Sequence, residues 1–172
     1  MVACVLTGIV CGLIDTYIVN RRMVFLAGGM AHTSLGGVGI CALAGLPPMV
    51  GATVFALLTG WSVQHMSNRR EVREDSAIAM LWAFGMSVGI MCSYLAPEFL
   101  PNLSSYLFGN ILLINTVDLW MLGALTVVAV LIFAVSMPQI VAVSFDSEFA
   151  KAQKQPVALV NYLMITLVAL CI

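Results

Sequence analysis

The chain of 172 residues predicts an all-α fold, a polytopic transmembrane helical bundle of about six spans. Three observations predict it. Hydrophobic residues make up 62% of the chain and charged residues 9%, with a mean hydropathy of +1.06, where a soluble domain carries about 25% charge. Apolar runs close to the roughly 20 residues needed to cross a hydrocarbon core recur along the chain. With six crossings, all seven Lys and Arg residues fall on one side.

The spans follow in order. The first covers about residues 1–20 and ends at Asn20-Arg21-Arg22. The second covers 23–45 and ends at Gly45-Leu46-Pro47-Pro48. The third runs over 48–66, from the double proline to "HMSNRR". The fourth covers 77–96 and ends at Ala96-Pro97. The fifth covers 117–137 and ends at Met137-Pro138. The sixth begins near Val157 and runs to Ile172. Residues 97–116 lie between the fourth and fifth. Their second half, "SYLFGNILLI", is apolar but too short to span, and reads as an interfacial or re-entrant helix.

Charge sets the orientation. Arg21, Arg22, Arg69, Arg70, Arg73, Lys151 and Lys154 share one side, which the positive-inside rule makes cytoplasmic. Met1 and residues 97–116 are then outside, and the loops 67–76 and 138–156 inside. Trp61, Trp82 and Trp120 read as interfacial belt residues. The five cysteines all lie in apolar stretches without a C-x-x-C pair and read as small hydrophobes. No basic region precedes the first apolar run, so a cleaved signal peptide is not expected. No basic patch exists to neutralise phosphates, which argues against nucleic acid as a partner.

Two stretches carry chemistry. "GGMAHTSLGG", Gly28 to Gly37, sits inside the second span. His32 is ten residues beyond Arg22, about 15 Å along a helix and so near the membrane midplane. Ionisable residues at that depth usually face the bundle interior or a water-filled path. By itself His32 reads as a buried histidine bonded to a neighbouring helix. Gly28 and Gly36, and Gly29 and Gly37, repeat in steps of four with His32 and Thr33 between them. Such small-residue faces let helix backbones approach closely. The second stretch, "SFDSEFAKAQKQPV", runs from Ser144 to Val157. Ser144 or Asp146 can cap a short helix, with Asp146 and Glu148 early and Lys151 and Lys154 late, as the helix dipole favours. Phe145 and Phe149, at i and i+4, would give it an aromatic face. It reads either as a surface linker or as a helix docking into a groove of a soluble partner. Asp15, Asp118 and His65 read respectively as a polar group paired with a neighbour, a first-turn residue and a solvated interfacial residue.

Four stretches in order, "GLIDTYIVNRRMVFLAGGMAHTSLGGVGI", "REDSAIAMLWAFGMSVGI", "LPNLSSYLFGNILLINTVDL" and "FDSEFAKAQKQPV", resemble the membrane permease subunits of bacterial zinc/manganese/iron-type metal ABC importers. The resemblance covers essentially the whole chain. It implies a multi-pass protein of the bacterial cytoplasmic (inner) membrane that forms the translocation path together with a second permease subunit, as a homodimer. A cytoplasmic ATPase subunit would drive it and an extracytoplasmic metal-binding protein would supply it. The cargo would be a divalent zinc, manganese or iron ion, with no stably bound cofactor. Phe145, Asp146, Glu148, Phe149 and Ala150 would form the helix that couples to the ATPase, and His32 would lie on the ion path.

The chain departs from the family pattern at three places. The family commonly has G-D-x-x-x-H before its small-residue run; here His32 remains and Gly28 stands where the Asp would be. Asp15 and Lys154 each stand where glycine is usual. The short last apolar run and the abrupt start imply one transmembrane permease domain over 1–172, a fragment of a longer permease. No G-x-x-x-x-G-K-[ST] occurs, so no ATP site and no enzyme activity are expected. Two other functions fit the same pattern: a permease for a chelated metal or cobalamin, and a truncated remnant without transport activity.

Overall fold

In a computed structural model, residues 1–68, 74–96 and 116–171 are described; the expected outer segment and the Arg69, Arg70 and Arg73 loop lie outside them. The described residues form seven helices: α1 (Val2–Asn20), α2 (Val24–Leu43), α3 (Pro48–Asn68), α4 (Glu74–Leu95), α5 (Thr116–Phe145), α6 (Ser147–Ala152) and α7 (Val157–Cys171). Four of them, α1, α2, α4 and α5, are long and apolar enough to cross a membrane. At 21 residues α3 has the length as well, but its second half carries Thr59, Ser62, Gln64, His65, Ser67 and Asn68. The apolar α7 is described over 15 residues.

The fifth span differs from its expected end. Pro138 lies inside α5, which continues to Phe145. Proline deletes one backbone donor, leaving the Ala134 carbonyl without its helical partner. Transmembrane helices tolerate that loss. At 30 residues α5 is about 45 Å long, against a core of about 30 Å. Some of it must emerge from the membrane, and the charged α6 that follows marks the emerging end.

Hydroxyl groups inside these helices find acceptors within their own helix. Thr33 Oγ1 donates to Gly29 O at 2.6 Å, Ser93 Oγ to Gly89 O at 2.7 Å and Thr126 Oγ1 to Leu122 O at 2.7 Å. Each is a bond to the carbonyl four residues back, which satisfies a polar group where no water can.

Three helices end in the same way. The backbone turns left-handed at Arg22 (φ 57°), Gly45 (φ 69°) and Lys154 (φ 57°). The next residue then reaches back five positions: Met23 N to Ile18 O, Leu46 N to Cys41 O, and Gln155 N to Ala150 O, at 2.8–3.0 Å. This is a Schellman closure, in which glycine is the residue without a steric penalty. A side-chain-bearing residue there costs about 1–2 kcal/mol. Lys154 is exposed, so Lys154→Gly should raise the thermal unfolding temperature of the detergent-purified protein. Lys154→Ala, which keeps the strain, should not.

The helices cluster into two compact units, α1 with α5, α6 and α7, and α2 with α3 and α4. In the first, Tyr17 of α1 donates its hydroxyl to Asn161 Oδ1 of α7 at 3.3 Å, with both residues buried. Arg21, at the end of α1, donates Nη1–H to the Val143 carbonyl of α5 at 3.3 Å. That carbonyl belongs to the last turn of α5, where helical acceptors lack intrahelical donors. The second unit is built on glycine. A Cβ on Gly37 would overlap the carbonyl of Gly51 in α3, and one on Gly39 the carbonyl of Gly89 in α4. One on Gly36 would sit 3.0 Å from the Gly85 carbonyl. Gly29 packs on Ile78. Helix α2 therefore meets α3 and α4 backbone to backbone, as small residues permit in a membrane. Gly28 does not share in this: it is exposed, and a Cβ there would meet nothing within 4 Å among the described residues.

Candidate functional site

His32 lies near the middle of the 20-residue α2 and is partly exposed. Its ring stacks on the Trp82 indole of α4, with centroids 4.5 Å apart and planes 7° apart. Trp82 is fixed in turn by Nε1–H donating to Met86 Sδ at 3.0 Å. His32 Nδ1 is enclosed and has no hydrogen-bond partner among the described residues. The expected bond from His32 to a neighbouring helix is therefore replaced by an aromatic stack. Among the described residues, no group of three or more His, Cys, Asp or Glu side chains is placed to hold a metal ion. What the site offers is a single imidazole beside the open space at Gly28. Imidazole suits zinc and iron among divalent ions.

The stack was not readable from the spacing of His32 or Trp82. Trp82 was expected as a belt residue, and exposure of 46% at Trp61 and 77% at Trp120 suits that role for those two. Trp82 is instead half-buried. Asn161, a polar residue in the middle of the apolar run "VALVNYLM", was the one visible signal for the Tyr17 pairing. Asp15 and His65 are exposed, and Asp118 lies in the first turn of α5.

The second element is α6. Asp146 is its N-cap, in an extended conformation (φ −148°, ψ 96°), and Oδ1 accepts from Glu148 N at 3.0 Å and Phe149 N at 2.9 Å. Ser144 instead donates to Ile140 O at 2.6 Å. Of the two expected caps, Asp146 is the one used, so the helix begins at Ser147 and Phe145, expected within it, is the last residue of α5. The break at Asp146 means that Phe145 and Phe149 are not an i, i+4 pair on one helix. Both are nonetheless exposed, at 80% and 58%. Ala150 is fully buried, so it anchors α6 and does not face outward. Glu148 pairs with Lys151 at 3.2 Å, on the surface, where such a pair adds little stability.

Apolar helices long enough to cross a membrane, linked by short loops, define a polytopic helical membrane protein. The chain belongs to the ABC 3 transport family, whose pattern it matches over residues 1–172. It is 33% identical over 172 residues to an uncharacterized membrane protein of Synechocystis, covering all of this chain and 61% of that protein. It is 33% identical to a probable metal transport system membrane protein of Chlamydia muridarum, over 92% of this chain and 56% of the relative. It is 29% identical to the manganese transport system membrane protein MntC of Halalkalibacterium halodurans, over 99% and 58%. Among solved structures it resembles PsaBC from Streptococcus pneumoniae in complex with Fab, with a TM-score of 0.78, 27% identity, and coverage of 99% of this chain and 61% of that one. The chain thus spans a little over half the length of the relatives it matches.

Proposed function

We propose that the chain supplies part of the translocation path of an ABC importer for a divalent metal ion of the zinc, manganese or iron group. In this reading residues 1–172 belong to one permease domain of the bacterial cytoplasmic membrane. It pairs with a second permease subunit, is driven by a separate ATPase and receives its ion from an extracytoplasmic binding protein. The names of the relatives, metal and manganese transport system membrane proteins, support the substrate class. The observation that carries the reading is His32: an imidazole at mid-helix, partly exposed, with no hydrogen bond at Nδ1 among the described residues. An ion in transit needs such a ligand to replace part of its hydration without being trapped, and one nitrogen held without a carboxylate binds weakly enough to release. Further donors would come from another helix or the second subunit.

The test is metal uptake by the full-length permease reconstituted with its ATPase. Losing a group that merely supports a metal ligand costs about 10–100-fold. His32→Ala should therefore reduce uptake at low metal concentration by at least about tenfold. Uptake equal to that of the unsubstituted protein removes His32 from the path.

A further inference from the structure

We propose that Trp82 is a positioning residue for His32, holding the imidazole in the plane that an ion on the path meets; this rests on the transport role of His32 given above. A histidine that binds a metal through one nitrogen is usually oriented by a hydrogen bond at the other. Among the described residues His32 lacks that bond at Nδ1. Its orientation is set by the Trp82 face, parallel within 7° and 4.5 Å away, a geometry that aromatic pairs favour.

The arrangement is built from both sides. Thr33, next to His32, packs so closely on Gly85, one turn after Trp82, that a Cβ on Gly85 would come within 2.6 Å of the Thr33 methyl. The glycine seam thus sets the separation of α2 and α4 at which two rings fit face to face. The bond from Trp82 Nε1 to Met86 Sδ stops the indole from turning away. Nδ1 is the enclosed nitrogen, so Nε2 is the one presented to an ion. Electronically the stack favours the same outcome. Coordination withdraws charge from the imidazole, and an electron-poor ring or cation is attracted to the indole face. Trp82 therefore stabilises the ion-bound state of His32 more than the free state.

The experiment uses the full-length permease with its ATPase in proteoliposomes, with zinc and manganese(II) as probes. Trp82→Leu should raise the metal concentration at half-maximal uptake by about tenfold and leave the maximal rate little changed. Trp82→Phe, which keeps a flat ring, should recover most of the loss. In a His32→Ala background Trp82→Leu should add nothing, because coupled residues are non-additive. Half-saturation unchanged in Trp82→Leu, while His32→Ala is impaired, overturns the proposal and leaves the path reading standing. Normal uptake by His32→Ala overturns the path reading and the proposal together. A Trp82→Leu effect of full size in the His32→Ala background also overturns the proposal, since the indole would then act elsewhere. If Trp82→Leu fails to fold, the emission of Trp82 decides, in a full-length permease whose every other tryptophan, Trp61 and Trp120 included, is replaced by Phe. A metal-dependent change that disappears with His32→Ala supports the stack as part of the ion site, and the absence of any change overturns it.

Discussion

Gly37→Ala should severely destabilise the protein, while Gly28→Ala, nine residues earlier on the same helix, should leave it as stable or slightly more so. On helix propensity alone each change should help by about 1 kcal/mol, because alanine loses less backbone entropy than glycine. Packing decides which change does. At Gly37 the new methyl would overlap the carbonyl of Gly51 and press on the Phe55 Cβ, 2.8 Å away. The main obstacle is backbone, so no side chain can swing aside; α2 and α3 would have to separate. Overpacking in a close-packed interior costs about 1–3 kcal/mol and sometimes more, and a clash with backbone belongs at the upper end. The seam from Gly36 to Gly85 and from Gly39 to Gly89 would open with it. At Gly28 nothing among the described residues lies within 4 Å, so only the propensity term remains. Thermal unfolding of the detergent-solubilised variants reads both. A Gly37→Ala protein as stable as the parent would mean that α2 and α3 do not touch as described.

The same contrast bears on the site. The sequence alone gave Gly28 and Gly36, and Gly29 and Gly37, equal standing, because a period of four identifies a face and not a partner. Gly29, Gly36 and Gly37 do have partners, and Gly28 does not. Open space at Gly28 also means that the carboxylate typical of the family would fit there, one turn before His32. Its absence in this chain is therefore not forced by packing.

Span positions were legible to within a few residues because hydropathy and the Pro, Gly and Arg punctuation are local signals. Pro138 misled because its stop signal is a property of helices in water, whereas α5 carries it through. The start of α6 was uncertain between Ser144 and Asp146. It was decided by where α5 ends, and once Ser144 had turned back to Ile140 O only Asp146 was left to cap. The pairing of His32 with Trp82 could not be read from either helix alone, since it depends on the register in which α2 and α4 meet. The glycines that allow that meeting were visible in the sequence; their partners were not.

If α6 is the element through which the proposed importer meets its ATPase, Phe145→Ser combined with Phe149→Ser should abolish stable association with that ATPase and with it metal uptake, while the permease remains folded. Phe149 is 58% exposed on α6 and Phe145 80% exposed at the end of α5. Their loss uncovers no core, so the cost to folding is small. Large apolar groups exposed at the end of a span suit the anchor positions of a helix that docks into a partner groove. Burying a phenylalanine contributes about 1.5–3 kcal/mol. Two at about 2 kcal/mol each amount to about 4 kcal/mol, or roughly a thousandfold in affinity. By contrast Asp146→Ala removes a cap accepting two N–H bonds, a loss of about 1 kcal/mol, and should weaken docking by only about fivefold through fraying of α6. Ala150 faces inward and is fully buried, so a large residue there should disturb folding before it disturbs docking. Co-purification of the ATPase with each permease variant, alongside thermal unfolding of the permease alone, separates the two effects. Undiminished co-purification of the double serine variant would overturn the docking role of α6.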